Sequence, residues 1–401
     1  MIDTTLADLS LRITDGKHGD CRDCANSGFY FISCKDVNDG QIIYENARQI
    51  YEEDFFDAHK RTRLEPDDIL VTNSGTIGRM AFIEDVPATY RTTFQKSVAI
   101  VKPDKERVLP QYLYYQLQNC VDGFVHQSNG SAQKNLLLST MRAFTMRIHE
   151  NMEEQLRIAS ILAAYDNLIK NNRKQIKLLE EAAQRLYKEW FVDLRFPGHE
   201  TTPIVDGVPE GWVDRKFSDV VSIMSGGTPK TDNKEYYDGH IPFYTPKDSD
   251  GAFFAFDTIT HISQSGLEHC NSRLYPAGTV IITARGTVGK TTILAVPMAM
   301  NQSCYALKCD DLNSPYYLFF ALNREVEKLK TMANGGVFNT IIVKTFEQIS
   351  LMVPPKDVLE SFEVVVSPFM EQIKSRTRQI ELLRETRDRL LPKLMNGEIE
   401  V

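Results

Sequence analysis

Between residues 158 and 190 the apolar positions recur at alternating steps of four and three. Ile158, Leu162, Tyr165, Ile169, Asn172, Ile176, Leu179, Ala183, Leu186 and Trp190 make one stripe, in which only Asn172 is polar. That spacing is the a/d seam of a helix that pairs with another helix. The same stripe returns near the C-terminus as Val366, Phe369, Ile373, Arg376, Ile380, Leu383, Arg387, Leu390 and Leu394. Two long helices are therefore predicted, in regions 151–198 and 355–401. At ~1.5 Å per residue, about 40 residues make a rod of roughly 60 Å. Two seams of one period in one chain would bury each other as an antiparallel coiled coil, with Asn172 set against Arg376 or Arg387 to fix the register. The alternative is that each helix packs its stripe on the domain beside it.

Elsewhere the pattern changes to short β-branched and aromatic runs punctuated by Gly, Pro, Asn and Asp, over 1–150 and again over 199–354. Such runs predict strands and tight turns mixed with short helices. The fold class is α+β, with two mixed α/β domains separated by the two long helices. The mixed domains are copies of one another. The segment DILVTNSGTIGRMAFI at 68–83 reappears as TVIITARGTVGKTTIL at 279–294, and QYLYYQL at 111–117 as YYLFFAL at 316–322. Further on, SNGSAQKNLLLST at 128–140 answers ANGGVFNTIIVKT at 333–345, and RKQIKLLEEAAQRL at 173–186 answers TRQIELLRETRDRL at 377–390. The separation between copies falls only from 211 to 204 residues over these four ordered matches, which marks a duplication rather than chance. The Pro- and Gly-rich stretch FPGHETTPIVDGVPEGW, 196–212, reads as the linker between copies.

Composition adds little to this architecture but restricts function. Of 401 residues 42% are hydrophobic and 25% charged, the values of a globular protein. The N-terminal segment lacks a signal-like apolar run and no stretch approaches the ~20 apolar residues of a membrane span, so a cytoplasmic protein is expected. Seven cysteines without framework spacing suggest reduced thiols. The net charge of -8 runs against a nucleic-acid binder, although local basic patches, not the whole-chain sum, set the field that DNA meets.

Two motifs suggest chemistry. ARGTVGKT, 284–291, resembles a phosphate loop with Ala in place of the first Gly. The first copy retains only the turn glycines, a Thr and a basic residue, and the run TTILAVP beyond the turn reads as a strand where a phosphate loop needs a helix N-terminus. Both copies are instead read as a tight turn that carries a basic residue. His18, Cys21, Cys24 and Cys34 could form a zinc site, but the second copy has no counterpart and a lone C-x-x-C is a weak signal, so no metal is assigned. No nucleotide fingerprint, methyltransferase loop or catalytic triad is found, and neither catalysis nor a bound cofactor is expected of this chain. Polar loops suited to phosphates and base edges remain. The candidates are Lys17 (beside His18), Lys35, Ser74, Thr76, Arg79, Gln95, Lys96, Asn129 and Lys134 in the first copy. In the second they are Thr228, Lys230, Lys247, Arg285, Thr287, Lys290, Gln302 (beside Asn301), Asn334 and Asn339.

Four stretches together resemble the specificity subunits of type I restriction-modification enzymes. They are EEQLRIASILAAYDNLIKNN with QIKLLEEAAQRLYKEWF (153–191), FPGHE with VPEGW (196–212), SGGTPKTDNKEYYDGHIPFYTPKD (225–248) with RGTVGK, and RQIELLRETRDRLLPKLMNGEI (378–399). The resemblance implies two target recognition domains, each reading one half of an interrupted double-stranded DNA site, and two helical regions forming an antiparallel coiled coil. It also implies that methyltransferase subunits, two of them, dock on this chain and that restriction-motor subunits join them. S-adenosylmethionine, ATP and Mg would then act on those partners. The competing reading is a two-headed scaffold that binds proteins through the same helices and does not read DNA.

Overall fold

The computed structural model describes residues 1–130, 134–309, 314–332 and 340–401. Its contacts divide the chain into two units, Met1–Leu168 with Leu383–Val401, and Ile169–Leu382. Two helices of 40 residues, Met152–Phe191 and Lys356–Met395, each contribute to both units. The first has no Gly or Pro along its length. The second carries Pro368 and Pro392; Pro368 lacks the N–H that would bond the Val364 carbonyl, and Val364 is 74% exposed, so water can take that carbonyl instead. Among the described residues no helix is long and apolar enough to cross a membrane.

The first unit is built on a four-stranded antiparallel sheet, in the order Ser10–Asp15, Val98–Pro103, Ile69–Thr72, Met80–Phe82. Both of its faces are covered. Ile69, Val71, Ala99 and Val101 face a core shared with Tyr112, Leu113 and Leu117 of the helix Pro110–Asn119 and with Ile158 and Leu162 of the first long helix. Leu70, Ala81, Val98 and Ile100 face the other way, towards Ile32 and Phe94. Those two belong to a short parallel pair, Tyr30–Ile32 with Thr92–Phe94, and Ile2–Thr5 pairs antiparallel with Thr145–Ile148.

The second unit repeats this plan. Its sheet runs Ser222–Ser225, Cys304–Lys308, Val280–Thr283, Thr291–Leu294, with Phe254–Ala255 added at the edge. Val280, Ile282, Ile293 and Leu307 face Phe319, Phe320 and Val326 of the helix Pro315–Met332, while Ile281, Leu294 and Ala306 face Tyr244 and Met300. Again there is a parallel pair, Phe243↔Ala299 and Tyr244↔Met300, and an antiparallel one, Val213–Lys216 with Ser350–Val353. Strands with both faces covered read as continuous apolar runs such as VIIT, and that is how they stand in the sequence.

In each unit the two long helices run antiparallel. In the first, Arg157 Nε donates to the Val401 carbonyl (2.8 Å) and, further along, Arg387 Nη1 pairs with Asp166 Oδ1 (2.5 Å). In the second, Arg376 Nη1 donates to Asn172 Oδ1 (3.2 Å), Asn172 Nδ2 donates to Gln379 Oε1 (3.4 Å), and beyond them Trp190 meets the Phe362 ring. Asn172 thus takes Arg376 as its partner, while Arg387 is engaged by Asp166, which also accepts the Tyr115 hydroxyl (2.7 Å). Ile158, Leu162, Ile169, Asn172, Val366, Ile373 and Ile380 are buried, and Tyr165, Ile176, Leu179, Leu186, Phe369, Arg376, Leu383 and Leu390 half-buried. The stripe is shared between two uses. Its ends merge with the cores of the mixed domains, as at Ile158, Leu162 and Val366, and this is why the contacts divide the chain within the helices and not at their ends.

The stretch expected as a linker is anchored at both ends, while most residues between them are exposed. Phe196 and Trp212 are buried in the second unit with ring centroids 5.1 Å apart, and between them Ile204–Val205 and Val208–Pro209 form a small hairpin. Its Gly and Pro serve tight turns, with Asp206 (φ 53) and Gly207 (φ 81) at the bend.

Candidate functional site

The G-T-x-G turns close two antiparallel hairpins, Ile69–Thr72 with Met80–Phe82 and Val280–Thr283 with Thr291–Leu294. A strand follows the turn in both, where a phosphate loop would continue into a helix N-terminus. One buried threonine organises each turn. Thr72 Oγ1 donates to the Thr76 carbonyl and accepts from Arg79 N–H (2.9 Å), and Gly78 N–H donates to the Thr72 carbonyl (3.0 Å). Thr283 does the same: its hydroxyl donates to the Thr287 carbonyl and accepts from Lys290 N–H (3.0 Å), and Gly289 N–H donates to its carbonyl (2.8 Å). Gly78 and Gly289 need their φ of +85° and +78°, a region that side chains disfavour. The result leaves Thr76, Arg79, Thr287 and Lys290 exposed.

Four further segments gather around each turn by corresponding backbone bonds. Lys17 N–H donates to Phe94 O (2.8 Å), as Gly227 N–H does to Met300 O (3.1 Å). Gln95 N–H donates to Ile32 O (2.9 Å) and Asn301 N–H to Tyr244 O (3.0 Å). Asn73 N–H reaches Ser97 O (3.1 Å) and Ala284 N–H reaches Ser303 O (2.7 Å). Finally, Leu136 N–H donates to Asn73 O (2.8 Å) and Ile341 N–H to Ala284 O (2.9 Å). Gly16 and Gly226 allow the closest of these approaches, since a Cβ there would lie 2.0 Å from Phe94 O and 2.3 Å from Met300 O.

This convergence collects most of the sequence-predicted residues. In the first unit Lys17, Gln95 and Lys96 share one backbone ladder, with Lys96 N–H donating to Lys17 O (3.1 Å). The Lys134 carbonyl accepts from Gly75 N–H (3.3 Å), and Asn129 and Ser74 both bridge to Asn135. Lys35 is brought in through Cys34, whose N–H donates to Ser97 Oγ (3.3 Å). In the second unit the Thr228 hydroxyl donates to Gln302 Oε1, and Thr287 Oγ1 donates to the carbonyl of Pro246, the neighbour of Lys247. Arg285 is exposed on the turn; Lys230 is exposed two residues beyond Thr228, with its carbonyl bonded to Asn233 N–H (3.3 Å). Asn334 and Asn339 lie outside the described residues. Lys17 is engaged at 2.8 Å by Asp57, whose carboxylate holds the ammonium above its ordinary pKa, and His18 Nε2 sits 2.9 Å from Asp15.

Two lysine turns, unpaired from sequence alone, also correspond. Cys34–Asp36, preceded by Ser33, and Pro246–Asp248, preceded by Thr245, each form one turn of 3-10 helix. Ser33 N–H donates to Asp36 Oδ2 (2.8 Å) and Thr245 N–H to Asp248 Oδ2 (2.8 Å), and the hydroxyls donate to the same carboxylates. The [ST]-x-K-D pattern at matching places in the two copies was the available signal. The cysteines are dispersed: Cys21 is buried against Phe31, Ile50 and Phe55, where burial pushes its thiol pKa up, while Cys34 sits against Gly75. Among the described residues no three His, Cys, Asp or Glu side chains are grouped to hold a metal.

Comparison with known proteins agrees with the duplication. A family model described as the type I restriction modification DNA specificity domain matches residues 19–181 and again 209–382. The type I restriction enzyme MjaIX specificity subunit of Methanocaldococcus jannaschii is 26% identical over 343 residues, covering 83% of this chain and 78% of its own. The HindI specificity subunit of Haemophilus influenzae is 24% identical over 388 residues, with 80% and 84% covered. Among solved structures, the type I restriction-modification system S subunit from M. genitalium shares the fold, with a TM-score of 0.60 over 98% of this chain and 96% of that one at 16% identity.

Proposed function

The chain belongs to the type I restriction-modification DNA specificity family, and on that premise we propose that its two units each read one half of an interrupted DNA site through the loops gathered at Thr72 and Thr283. It is a specificity subunit, the non-catalytic DNA-recognition component of a restriction system. The observation that carries the proposal is that one set of five segments converges in both units, with an exposed lysine turn and an exposed basic residue at matching places. Two differing copies of one surface suit two different half-sites, much as the two protomers of a dimeric reader present two copies of one element. Lys and Arg on these loops supply local attraction for phosphates on a chain whose net charge is -8.

The paired helices are the docking platform in this reading. Two methyltransferase subunits bind along them and restriction-motor subunits join the assembly, bringing S-adenosylmethionine, ATP and Mg chemistry that this chain does not perform. Titrating a labelled duplex with the subunit assembled on its methyltransferase, over a range of salt, tests the proposal. Sequence-dependent binding that weakens steeply with salt is the expected result; binding indifferent to sequence would leave only the scaffold.

A further inference from the structure

Whatever bases the two units read, both must meet the same sugar-phosphate backbone. Positions that keep one chemistry in both copies therefore suit phosphates, and positions that differ suit base edges. The backbone bonds described above align the copies residue by residue: Ile32 with Tyr244, Asn73 with Ala284, Gln95 with Asn301, Ser97 with Ser303. Under this alignment Lys35 meets Lys247 and Arg79 meets Lys290, basic on both sides and exposed in all four cases. Ser74 instead meets Arg285, and Lys96 meets Gln302. We propose that Lys35, Lys247, Arg79 and Lys290 clamp phosphates, while Lys96 and Gln302, with Ser74 and Arg285 beside them, determine the base sequence of the two half-sites.

This inference rests on the DNA-reading role proposed above and goes further by giving each position its task. The chemistry of the 96/302 pair is specific. Gln302 has its amide oriented by the Thr228 hydroxyl, which donates to Oε1 and leaves the second lone pair and the Nε2 hydrogens available. An acceptor beside a donor matches the N6 and N7 of adenine. The Lys96 ammonium has only donors, and these match the O6 and N7 acceptors of guanine. Lys35 and Lys247 differ in kind. Each is the second residue of a 3-10 turn whose Asp closes a hydrogen-bonded loop on Ser33 or Thr245, a fixed mount for a point charge.

Two substitutions at exposed positions, Gln302→Lys and Lys247→Ala, separate the tasks. Each variant is assembled with its methyltransferase subunits, checked by thermal melting, and read out by sequencing methylated sites and by duplex binding across salt concentrations. Gln302→Lys should change one base pair of one half-site, with preference moving from an adenine to a guanine by roughly tenfold or more, and leave the other half-site as it was. Lys247→Ala should keep both half-sites, weaken target and unrelated duplexes alike, and lower the log–log salt slope by about 0.9. An unchanged methylation sequence with Gln302→Lys, or a changed one with Lys247→Ala, overturns the assignment. If neither variant alters affinity, salt slope or sequence, these loops do not touch DNA and the reading proposed above falls with it.

Discussion

Replacing Thr283 by Val removes one hydroxyl and almost no volume, and the consequences can be worked from the turn it organises. Thr283 is fully buried, and its Oγ1 donates to the Thr287 carbonyl while accepting from Lys290 N–H at 3.0 Å. Both bonds disappear in Thr283→Val. At a net ~0.5–1.5 kcal/mol each the loss is about 1–3 kcal/mol, towards the upper end if the released N–H stays out of water. For a unit of this size each kcal/mol lowers the melting temperature by roughly 2–4 °C, so a drop of several degrees is expected. Thr283→Ser keeps the hydroxyl and should retain most of the turn. The functional effect should exceed the stability effect, because the lost bonds position Thr287 and Lys290. DNA binding by the assembled complex, measured well below the melting transition, should weaken for Val and much less for Ser. Thr72 makes the same two bonds, so Thr72→Val should act alike on the other half-site. A valine variant with unchanged melting and unchanged DNA affinity would refute the hub role of these threonines.

Other parts of the molecule give independent tests. Among the described residues Arg376 Nε is buried beside Asn172 without a hydrogen-bond partner, so the double change Asn172→Leu with Arg376→Leu should raise stability by ~1–4 kcal/mol in denaturant unfolding; a loss would show that the polar layer is net stabilising. Asp166 is held by Arg387 and Tyr115, and a double-mutant cycle over Asp166→Ala and Arg387→Ala should give a coupling of ~0.5–3 kcal/mol, whereas additive effects would discount the pair. The Asp68 carboxyl is pushed up to about 6 by burial, against the pull of Lys102 at 2.7 Å. A raised folded-state pKa means that the folded protein binds the proton more tightly, so this group favours folding at low pH and that contribution fades as pH rises from about 4 to about 6. Melting curves of Asp68→Asn should be flatter across that window than those of the native chain, and parallel curves would contradict the assignment. Gly226→Ala places a Cβ against Met300 O and should open the loop cluster of the second unit with loss of DNA binding, which calorimetry of the complex with duplex would detect.

Much of the architecture was legible because long-range order leaves local traces. The a/d spacing announces a helix pair wherever it recurs, and the duplication shows as ordered matches that need no structure to align. The VIIT run followed by G-T-V-G-K and a second β-branched run already reads as a hairpin. The convergence of loops was less visible, since hydrogen bonds from Asn73 to Ser97 or from Ala284 to Ser303 join segments with no shared pattern. Parallel pairs of two or three residues, such as Phe243–Tyr244 with Ala299–Met300, are too short to show alternation. Phe196 and Trp212 were hidden because Gly and Pro around them suggested a connection, although large aromatic side chains in such a stretch are themselves a sign of packing. For Arg387 the seam position gave no clue that Asp166, one residue off the stripe, would be its partner.

The most direct test of the account is the methylation pattern of DNA in cells carrying the complex, compared with that of a variant in which Thr228, Lys230, Arg285 and Gln302 are all alanine. Two half-sites separated by an unread spacer are predicted for the native chain, and the variant should keep one half-site while losing discrimination at the other. A single contiguous recognition sequence, or a variant that still methylates both native half-sites with full discrimination, would contradict the assignment of one half-site to each unit.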